Sequence, residues 1–532
     1  MSVWKRAAAL LLTLCMAAAL LSGCDEDPND ENKLSVVMTG GVSTVDPAMA
    51  ATAAERTAVL HLFDNLYRLT SDGAVPAAAQ SCQQTDNEDG TQTYTFHLRT
   101  DGKWSDGTAV TAEDFVYAWR RLVSPDTASP NAELLSMVVG YEDARAGDPE
   151  ALAVSAEDNH TLTVTLSDAC PYFLSAVCTA PGTMPVQQKA VESGAEWATS
   201  REHFVGNGPY RRAGEWSGSQ FITLIKQPDH YGARRIWLDR IEILFKNAAD
   251  AAAAAGSVEV VIGAAGENGA AGGDPTVGVL LINQMATNME RDGLRRALSL
   301  TIDRAAAART LGAEYIPADG LVPSGIRTTA GEDFRAVNGA AIDNDPDTYD
   351  QRCADALEQF RQAGFARPEA LASLGTVTLL YRSTPAQTAL ARQLQQTWKD
   401  ELGITVTLQG EETEAYRRML SGGEFTLALT ELTTLYNDAS AYLDMWCSGG
   451  AKNYALLHTN AYDILMRVAA DSTSAEARDA YLKDAEGLLL DGANVIPIYG
   501  RQQPYEISSN ITGVIGDGLG AWYFGAVRRA AK

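Results

Sequence analysis

The chain has 532 residues, of which 46% are hydrophobic and 21% are charged. Its 68 acidic side chains outnumber the 42 basic ones, which gives a formal net charge of −26 at pH 7. This acidic balance excludes electrostatic binding to nucleic acid or to an anionic lipid surface, and the length predicts two or three domains.

The first 23 residues read as a secretory signal peptide. Lys5 and Arg6 precede the apolar run AAALLLTLCMAAALL, which is too short to span a bilayer. The residues LSG then lead into Cys24, an order that resembles the bacterial lipobox, in which the cysteine is lipidated and becomes the mature N-terminus. We therefore expect lipid on Cys24 rather than a plain secreted chain. The acidic residues 24–33 are predicted to form a flexible tether.

Five cysteines follow the tether, and none of them has the spacing of a zinc site. They are Cys82, Cys170, Cys178, Cys353 and Cys447. Cys170 and Cys178 flank PYFLSAV and are candidates for a disulfide that closes a small loop outside the cell. The alternative is that all five are free thiols.

The first half of the chain mixes strand and helix patterns. Residues 34–37 predict an apolar strand, and ERTAVLHLFDNLYRLT has apolar residues at helical spacing. In residues 82–100 an Asp-Gly turn precedes alternating apolar residues, which predicts a β-hairpin. TAEDFVYAWRRLV predicts a helix with Thr111 as N-cap and Asp114 three residues later. AEDNHTLTVTLSD predicts a further turn and strand.

Two segments near the middle look like ligand-binding motifs but lack required residues. Residues 248–273 are rich in Ala and Gly, yet they lack the Gly-Lys-Ser/Thr ending of a phosphate-binding loop. We interpret them as a small-residue linker that contains one buried strand, VEVVIG. DNDPDTYDQRCA (343–354) resembles a calcium loop, but its sixth residue is Thr and its twelfth is Ala, so an EF-hand is excluded. Asp345 is better explained as a helix N-cap before Pro346.

The rest of the chain alternates strand and helix patterns without a catalytic motif. VTLLYR, ITVTLQ and NVIPIYG read as strands, and TALARQLQQTWKDELG and AYLKDAEGLLLDG read as helices. This alternation predicts α/β domains whose sheets are covered by helices. The six histidines are scattered without metal-site spacing, and there is no G-x-S-x-G motif. We therefore predict no catalytic residue, no metal site and no cofactor.

Several phrases together resemble one family, the extracellular solute-binding proteins of ABC importers for peptides, nickel or other solutes. The longest is YTFHLRTDGKWSDGTAVTAEDFVYAWRRLVSPDTASP (94–130), and STVDP, LFDNLYRL, VGNGPYR, RRALSLTIDR and GLVPSG support it in family order. The resemblance implies an α/β fold: a three-lobed, periplasmic-binding-protein-like clamp with mixed sheets and a ligand cleft between the lobes. We name the implied ranges lobe I (34–75, 200–275 and 495–532), lobe II (76–199) and lobe III (276–494).

The resemblance also implies which residues contact the ligand. They are Thr52, Ala53, Asn131, Glu431, Thr433, Leu435, Tyr436, Asn437 and Asp438. Peptide-binding members commonly hold the ligand ammonium with an Asp before a Tyr-Asn pair, and the residue here is Leu435. An unpaired buried ammonium typically costs about 3–5 kcal/mol, so we expect Asp438 or Glu431 to replace that charge. After TASP such members place a Tyr, and this chain has Asn131.

The function implied by the resemblance is capture rather than catalysis. We expect a lipid-anchored, monomeric subunit on the outer face of the cell membrane that binds oligopeptides and passes them to an ABC permease and its ATPase. No nucleic acid is expected as a partner, and the membrane is contacted through the lipid alone. The alternatives are a non-peptide solute or nickel chelate carried by the same kind of importer, peptide sensing without transport, and a surface hydrolase.

Overall fold

The computed structural model describes residues 32–194, 196–200, 202–266, 269–365, 367–450 and 452–530. The predicted signal peptide, Cys24 and nearly all of the tether lie outside these residues. Within them, no helix combines the length and the apolar character needed to cross a membrane.

The described residues form a mixed α/β fold, as the resemblance implies. The strands are β1 Lys33–Thr39, β2 Tyr67–Thr70, β3 Gly73–Pro76, β4 Ala79–Asp86, β5 Gln92–Leu98, β6 Val154–Asp158, β7 Thr161–Leu166, β8 Tyr210–Ser217, β9 Phe221–Lys226, β10 Arg240–Lys246, β11 Val260–Ile262, β12 Ala270–Ile282, β13 Tyr315–Pro317, β14 Val377–Arg382, β15 Val406–Glu411, β16 Leu427–Leu432, β17 Val495–Ile507, β18 Ile511–Thr512, β19 Ile515–Gly516, β20 Trp522–Tyr523 and β21 Arg528–Arg529. The α-helices are α1 Ala53–Leu62, α2 Ala112–Val123, α3 Tyr141–Arg145, α4 Gln188–Val191, α5 Ala248–Ala254, α6 Asp292–Leu300, α7 Arg304–Leu311, α8 Phe334–Asn338, α9 Tyr349–Phe360, α10 Pro368–Ala372, α11 Pro385–Leu402, α12 Thr413–Ser421, α13 Ser440–Leu443, α14 Asn460–Ala470 and α15 Ala475–Asp491.

One large sheet runs through lobes I and III. Its strand order is β15-β14-β16-β12-β17-β11-β1-β10-β9-β8, with β13 paired to β17. The sheet is mixed, because β1 pairs with β10 in parallel whereas β12 pairs with both β16 and β17 in antiparallel. β12 and β17 have thirteen residues each and extend from the lobe I part of the sheet into the lobe III part. These two strands therefore join the two lobes.

Helices cover both faces of the sheet in lobe III. Along β12, Val279 and Leu281 pack in one hydrophobic cluster, and Leu280 and Ile282 pack in another. Successive side chains of a strand point to opposite faces, so an unbroken apolar run requires cover on both sides. Residues 277–282 of the strand are therefore apolar because neither face is exposed to water there.

Lobe II contains an antiparallel four-stranded sheet of order β4-β5-β7-β6. The predicted hairpin is confirmed, since β4 pairs with β5 around the turn at Asp89-Gly90. The predicted capping box is confirmed as well: Thr111 caps α2, and the Asp114 carboxylate accepts a hydrogen bond from the Thr111 N–H at 2.8 Å.

The Ala/Gly-rich segment is more ordered than the linker that we predicted. Its buried strand is confirmed as β11, but residues 248–254 form α5, and residues 270–273 begin β12. Asn247 caps α5 by accepting the N–H of Asp250 at 2.9 Å. Alanine has the highest helix propensity, so a capped alanine run favours a helix over a linker.

The hydrophobic clusters do not correspond one to one with the three lobes. Most buried residues of lobes I and II pack in one continuous cluster, and a small separate cluster in lobe I contains Val37, Ala251, Val261 and Ala264. Lobe III has the two clusters described above. Val495, Ile496 and Ile498 belong to the lobe III clusters, although we assigned residues 495–532 to lobe I. The reason is that β17 begins beside the lobe III end of β12. The limits of the three lobes stay predictions.

Candidate ligand-binding site

A cavity of about 180 Å³ lies where the three lobes meet. Lobe I lines it with α1, the residues that follow α1, and the C-terminal segment around Asp517. Lobe II contributes Asn131 and residues near Pro181, and lobe III contributes residues 327–331 and the segment around Asn437. The cavity is therefore positioned by chain segments that are hundreds of residues apart in the sequence.

The structure brings four of the nine predicted contact residues to this cavity. Asn131, Leu435, Asn437 and Asp438 are among its lining residues. The other five, which are Thr52, Ala53, Glu431, Thr433 and Tyr436, lie outside the lining that the described residues form.

Asn131 is buried, and its side-chain amide forms hydrogen bonds between lobe II and lobe I. Its amide Nδ2 donates to the carbonyl oxygens of Ala50 at 3.0 Å and Ala48 at 3.2 Å. Asn131 thus fixes the segment of lobe I that leads into α1 against lobe II.

Thr52 and Ala53 stand at the start of α1. Thr52 is its N-cap, because its hydroxyl accepts the N–H of Glu55 while the Glu55 carboxylate accepts the N–H of Thr52 at 3.0 Å. The predicted role of Thr52 and Ala53 in pairing with a ligand backbone stays a prediction.

Glu431 and Thr433 lie around the end of β16. The Glu431 carboxylate forms a salt bridge with Arg382 at 2.7 Å and accepts the Tyr499 hydroxyl at 3.1 Å. Its backbone is opposite Gly278 of β12 in the ladder. Thr433 comes after the last residue of β16 and is exposed.

Tyr436 and Asn437 of lobe III contact the other two lobes. The ring of Tyr436 stacks on that of Tyr172 in lobe II, with the centroids 4.7 Å apart and the planes at 3°. Asn437 accepts the N–H of Arg327 at 2.7 Å and donates to the carbonyl oxygens of Gly325 at 3.0 Å and Asp517 at 2.6 Å.

Asp438 has a complete set of partners within lobe III. It is 2% exposed, and its two carboxylate oxygens accept from the Arg478 guanidinium at 2.7 and 3.0 Å. One of them also accepts from the N–H and the hydroxyl of Ser440. We expected Asp438 or Glu431 to receive a ligand ammonium, but each carboxylate is already paired with an arginine. An ammonium would have to share a neutralised carboxylate.

Sequence reasoning missed a second buried charge network beside the cavity. Asp64 is 1% exposed, accepts from the His230 ring at 2.8 Å, and also accepts from Tyr231 and Arg68. Burial by itself would raise the pKa of Asp64, but Arg68 and His230 outweigh it and hold the pKa well below its usual range.

Sequence reasoning also missed Arg56, Arg327 and Asp517, which line the same cavity. Arg56 lies on α1 one turn before Leu60, which also lines the cavity. An arginine on the same helical face as apolar residues was the one signal available for it. Asp517 and Arg327 lie in loops whose sequence carries no comparable signal.

Cys170 and Cys178, the candidates for a disulfide, are not joined in this structure. Both are buried free thiols, and the other three described cysteines are free as well. Cys170 and Cys178 pack in the hydrophobic cluster shared by lobes I and II, beside Phe173. Burial raises the pKa of Cys170 to about 12 and that of Cys178 well above its usual value, so both act as small apolar side chains.

The part of the chain that the structure describes contains no group of three or more His, Cys, Asp or Glu side chains arranged to hold a metal ion.

Comparison with known families identifies the fold. Residues 73–454 match the family model described as "Bacterial extracellular solute-binding proteins, family 5 Middle". The chain is a family 5 solute-binding protein. This family is described by binding, in agreement with the prediction that the chain is not an enzyme.

Relatives of this family 5 protein match over most of their length. The oligopeptide-binding protein OppA of Bacillus subtilis is 26% identical, over 97% of each chain. The probable deoxycholate-binding periplasmic protein YgiS of Escherichia coli is 29% identical, over 86% of this chain and 85% of its own. The unliganded open form of MppA, a periplasmic murein tripeptide binding protein, superposes with a TM-score of 0.74 and 26% identity, over 94% of this chain and 97% of its own.

Proposed function

We propose that this family 5 protein is the lipid-anchored, extracellular substrate-binding subunit of an ABC importer, and that it captures oligopeptides. The observation that carries the proposal is the cavity at the meeting point of the three lobes, lined by Leu435, Asn437 and Asp438. The similarity to the oligopeptide-binding OppA over nearly the whole chain supports peptides as the ligand.

Capture needs no covalent chemistry. Open lobes admit the ligand, and closure buries it, which requires that the ligand binds the closed form better than the open form. β12 and β17 are the strands between lobes I and III, so we place the hinge of this closure at the two strands.

The lipid on Cys24 keeps the captured ligand at the membrane. Each buried CH₂ of an acyl chain contributes about 0.8 kcal/mol to anchoring, so two or more chains hold the protein at the surface stably. A membrane permease and its ATPase then receive the peptide from the closed, monomeric protein.

Native mass spectrometry of the purified chain in mild detergent, followed by denaturation, tests this function. We expect a mixture of short peptides to be released. An empty cavity together with no thermal shift from a peptide library would contradict peptide capture.

A non-peptide solute is the second candidate, because Leu435 stands where a carboxylate is expected and Asp438 is already paired. The similarity to a relative named for deoxycholate binding favours the same alternative. Release of one non-peptide mass in the experiment above would support it and would leave solute capture in place.

A further inference from the structure

Two arginines from different lobes line the cavity together with one carboxylate. Arg56 belongs to lobe I, Arg327 belongs to lobe III, and both interact electrostatically with the partly buried Asp517 of lobe I. The cavity thus brings two guanidinium groups within electrostatic range of one carboxylate.

Asp517 is already engaged by the backbone. Its Oδ1 accepts the N–H groups of Leu519 at 2.7 Å and Ala521 at 2.9 Å. Burial raises the pKa of Asp517 even though both arginines act in the opposite direction. Among the described residues, both arginines attract Asp517 electrostatically without forming a salt bridge to it.

The two guanidinium groups have few other partners. Arg56 donates to the Leu519 carbonyl oxygen, and its buried Nε has no hydrogen-bond partner among the described residues. For Arg327, the hydrogen bonds described are made by its backbone: its N–H donates to Asn437, and its carbonyl oxygen accepts the N–H of Ala439 at 3.3 Å. Among the described residues, none is made by its guanidinium. Burial lowers the pKa of Arg327 against the attraction of Asp517, because its positive charge has lost water without gaining a close anion.

The other charged residues near the cavity have partners of their own. Asp438 is paired with Arg478, and Asp64 with Arg68. Asp333, which lies near Arg327 in a neighbouring cavity, uses its carboxylate to accept the N–H groups of Gly325 and Ala336. Among the described residues, neither Arg56 nor Arg327 has a salt-bridge partner, although both line the cavity.

The walls beside these arginines are apolar. Leu60 and Phe63 of lobe I, Leu134 and Met184 of lobe II, and Leu435 of lobe III line the same cavity. A ligand that fills it would therefore combine an anionic group with an adjacent apolar body.

We propose that the cavity takes a ligand carboxylate between Arg56 and Arg327, with an apolar part of the ligand against the neighbouring walls. An arginine presents a planar donor fork that matches a carboxylate, and charge-assisted hydrogen bonds of this kind are strong. Because the two arginines belong to different lobes, the carboxylate would bind the closed form better than the open form. This inference rests on the proposed function of solute capture and assigns its ligand class.

Calorimetric titration with matched acid and amide probes tests the proposal. The probes are N-acetyl-Ala-Leu-Leu and its C-terminal amide, decanoate and decanamide, and Ala-Leu-Leu amide with a free amine. We expect at least one acid to bind about tenfold or more tightly than its own amide. Preference for the peptide acid identifies a peptide carboxylate, and preference for decanoate alone identifies a non-peptide amphipathic acid.

Variants of the arginines connect this preference to the site. Arg327→Gln should reduce the acid-over-amide ratio to about one, and Arg56→Gln should reduce it as well, while Arg327→Lys should retain part of it. Arg417→Gln is the matched control, because Arg417 is exposed, pairs with Glu414 and is not among the residues that line the cavity. Melting temperatures of all variants establish that each is folded.

Three results would overturn the inference. They are equal binding of acid and amide, tightest binding of the free-amine amide, and failure of both acids to bind. Tightest binding of the free-amine peptide would overturn the inference but agree with peptide capture. Binding of decanoate alone would support the inference but contradict the proposal that the ligand is a peptide. The native mass spectrometry described above judges the proposed function separately.

Discussion

Charged residues around the cavity are paired in two different ways. Asp438 with Arg478, and Asp64 with Arg68 and His230, form networks in which each carboxylate has several partners within its own lobe. Arg56, Asp517 and Arg327 span lobes I and III, and the guanidinium groups have few contacts. Arginines and aspartates thus stabilise the fold where each charge has several partners. The same residue types are available to a ligand where the charge has few partners.

The largest expected effect comes from breaking a complete network. Arg478→Met would leave Asp438 buried without its counter-ion, which should lower the free energy of unfolding by about 3–5 kcal/mol. Urea unfolding measures the loss, and Arg417→Met at an exposed ion pair is the control. Adding Asp438→Leu should restore much of the stability. A loss of under about 1 kcal/mol would show that this pair does not support the fold.

A smaller effect concerns the buried, neutral His61 beside Arg68. Its Nδ1–H donates to the Thr57 carbonyl oxygen at 2.7 Å, and its Nε2 accepts the N–H of Phe524 at 2.9 Å. Burial, opposed by the bond to Thr57 and assisted by Arg68, lowers the pKa of His61 to about 4. The neutral ring is thus part of the completed packing in lobe I.

The sign of the pH effect follows from this lowered pKa. Above the unfolded pKa of about 6.5 the stability from His61 is fully present, and it is lost as the pH falls towards 4. Between pH 7 and pH 5 we expect a loss of roughly 2 kcal/mol. His61→Gln should show a correspondingly flatter pH dependence in urea unfolding. The same slope in both proteins would contradict a neutral His61.

Contacts between lobes should be weaker than the networks within a lobe. The stacked rings of Tyr172 and Tyr436 join lobes II and III. A double-mutant cycle with Tyr172→Ala and Tyr436→Ala should give a coupling energy of about 0.5–1.5 kcal/mol in unfolding experiments. A coupling near zero would mean that this stack does not hold the two lobes together.

The smallest effect is expected at an exposed ion pair between lobes II and III. Lys452 of lobe III pairs with Glu133 of lobe II, and both side chains are more than half exposed. Lys452→Gln should change the free energy of unfolding by at most about 0.5 kcal/mol, since water and salt screen such a pair. A loss as large as that of Arg478→Met would contradict the distinction between complete, buried networks and exposed pairs.

Much of the fold could be predicted from local patterns. The hairpin around Asp89-Gly90 and the Thr111 cap depend on residues a few positions apart, and both are confirmed. The family was recognisable because its phrases occur in order along most of the chain. The helix at 248–254 was missed because small residues were interpreted as a linker, although a capped alanine run favours a helix.

The site was harder to predict because its residues meet only in the folded chain. Arg56 and Asp517 are separated by most of the sequence, and no local pattern relates them. Asp438 looked available for an ammonium until its pairing with Arg478, forty residues later, was seen. The contact between Tyr436 and Tyr172 likewise depends on how lobes II and III meet.

Thermal unfolding of Arg327→Gln tests most directly whether this arginine is available to a ligand rather than needed by the fold. It is measured with and without a saturating acid probe, N-acetyl-Ala-Leu-Leu or decanoate. Without a probe, we predict that Arg327→Gln melts at the same temperature as the wild type. With the probe, we predict that the melting temperature of the wild type rises and that of Arg327→Gln does not. A lower melting temperature of the variant without the probe would show that the Arg327 side chain stabilises the fold. An undiminished shift would show that the carboxylate is held elsewhere, and either result would contradict the account.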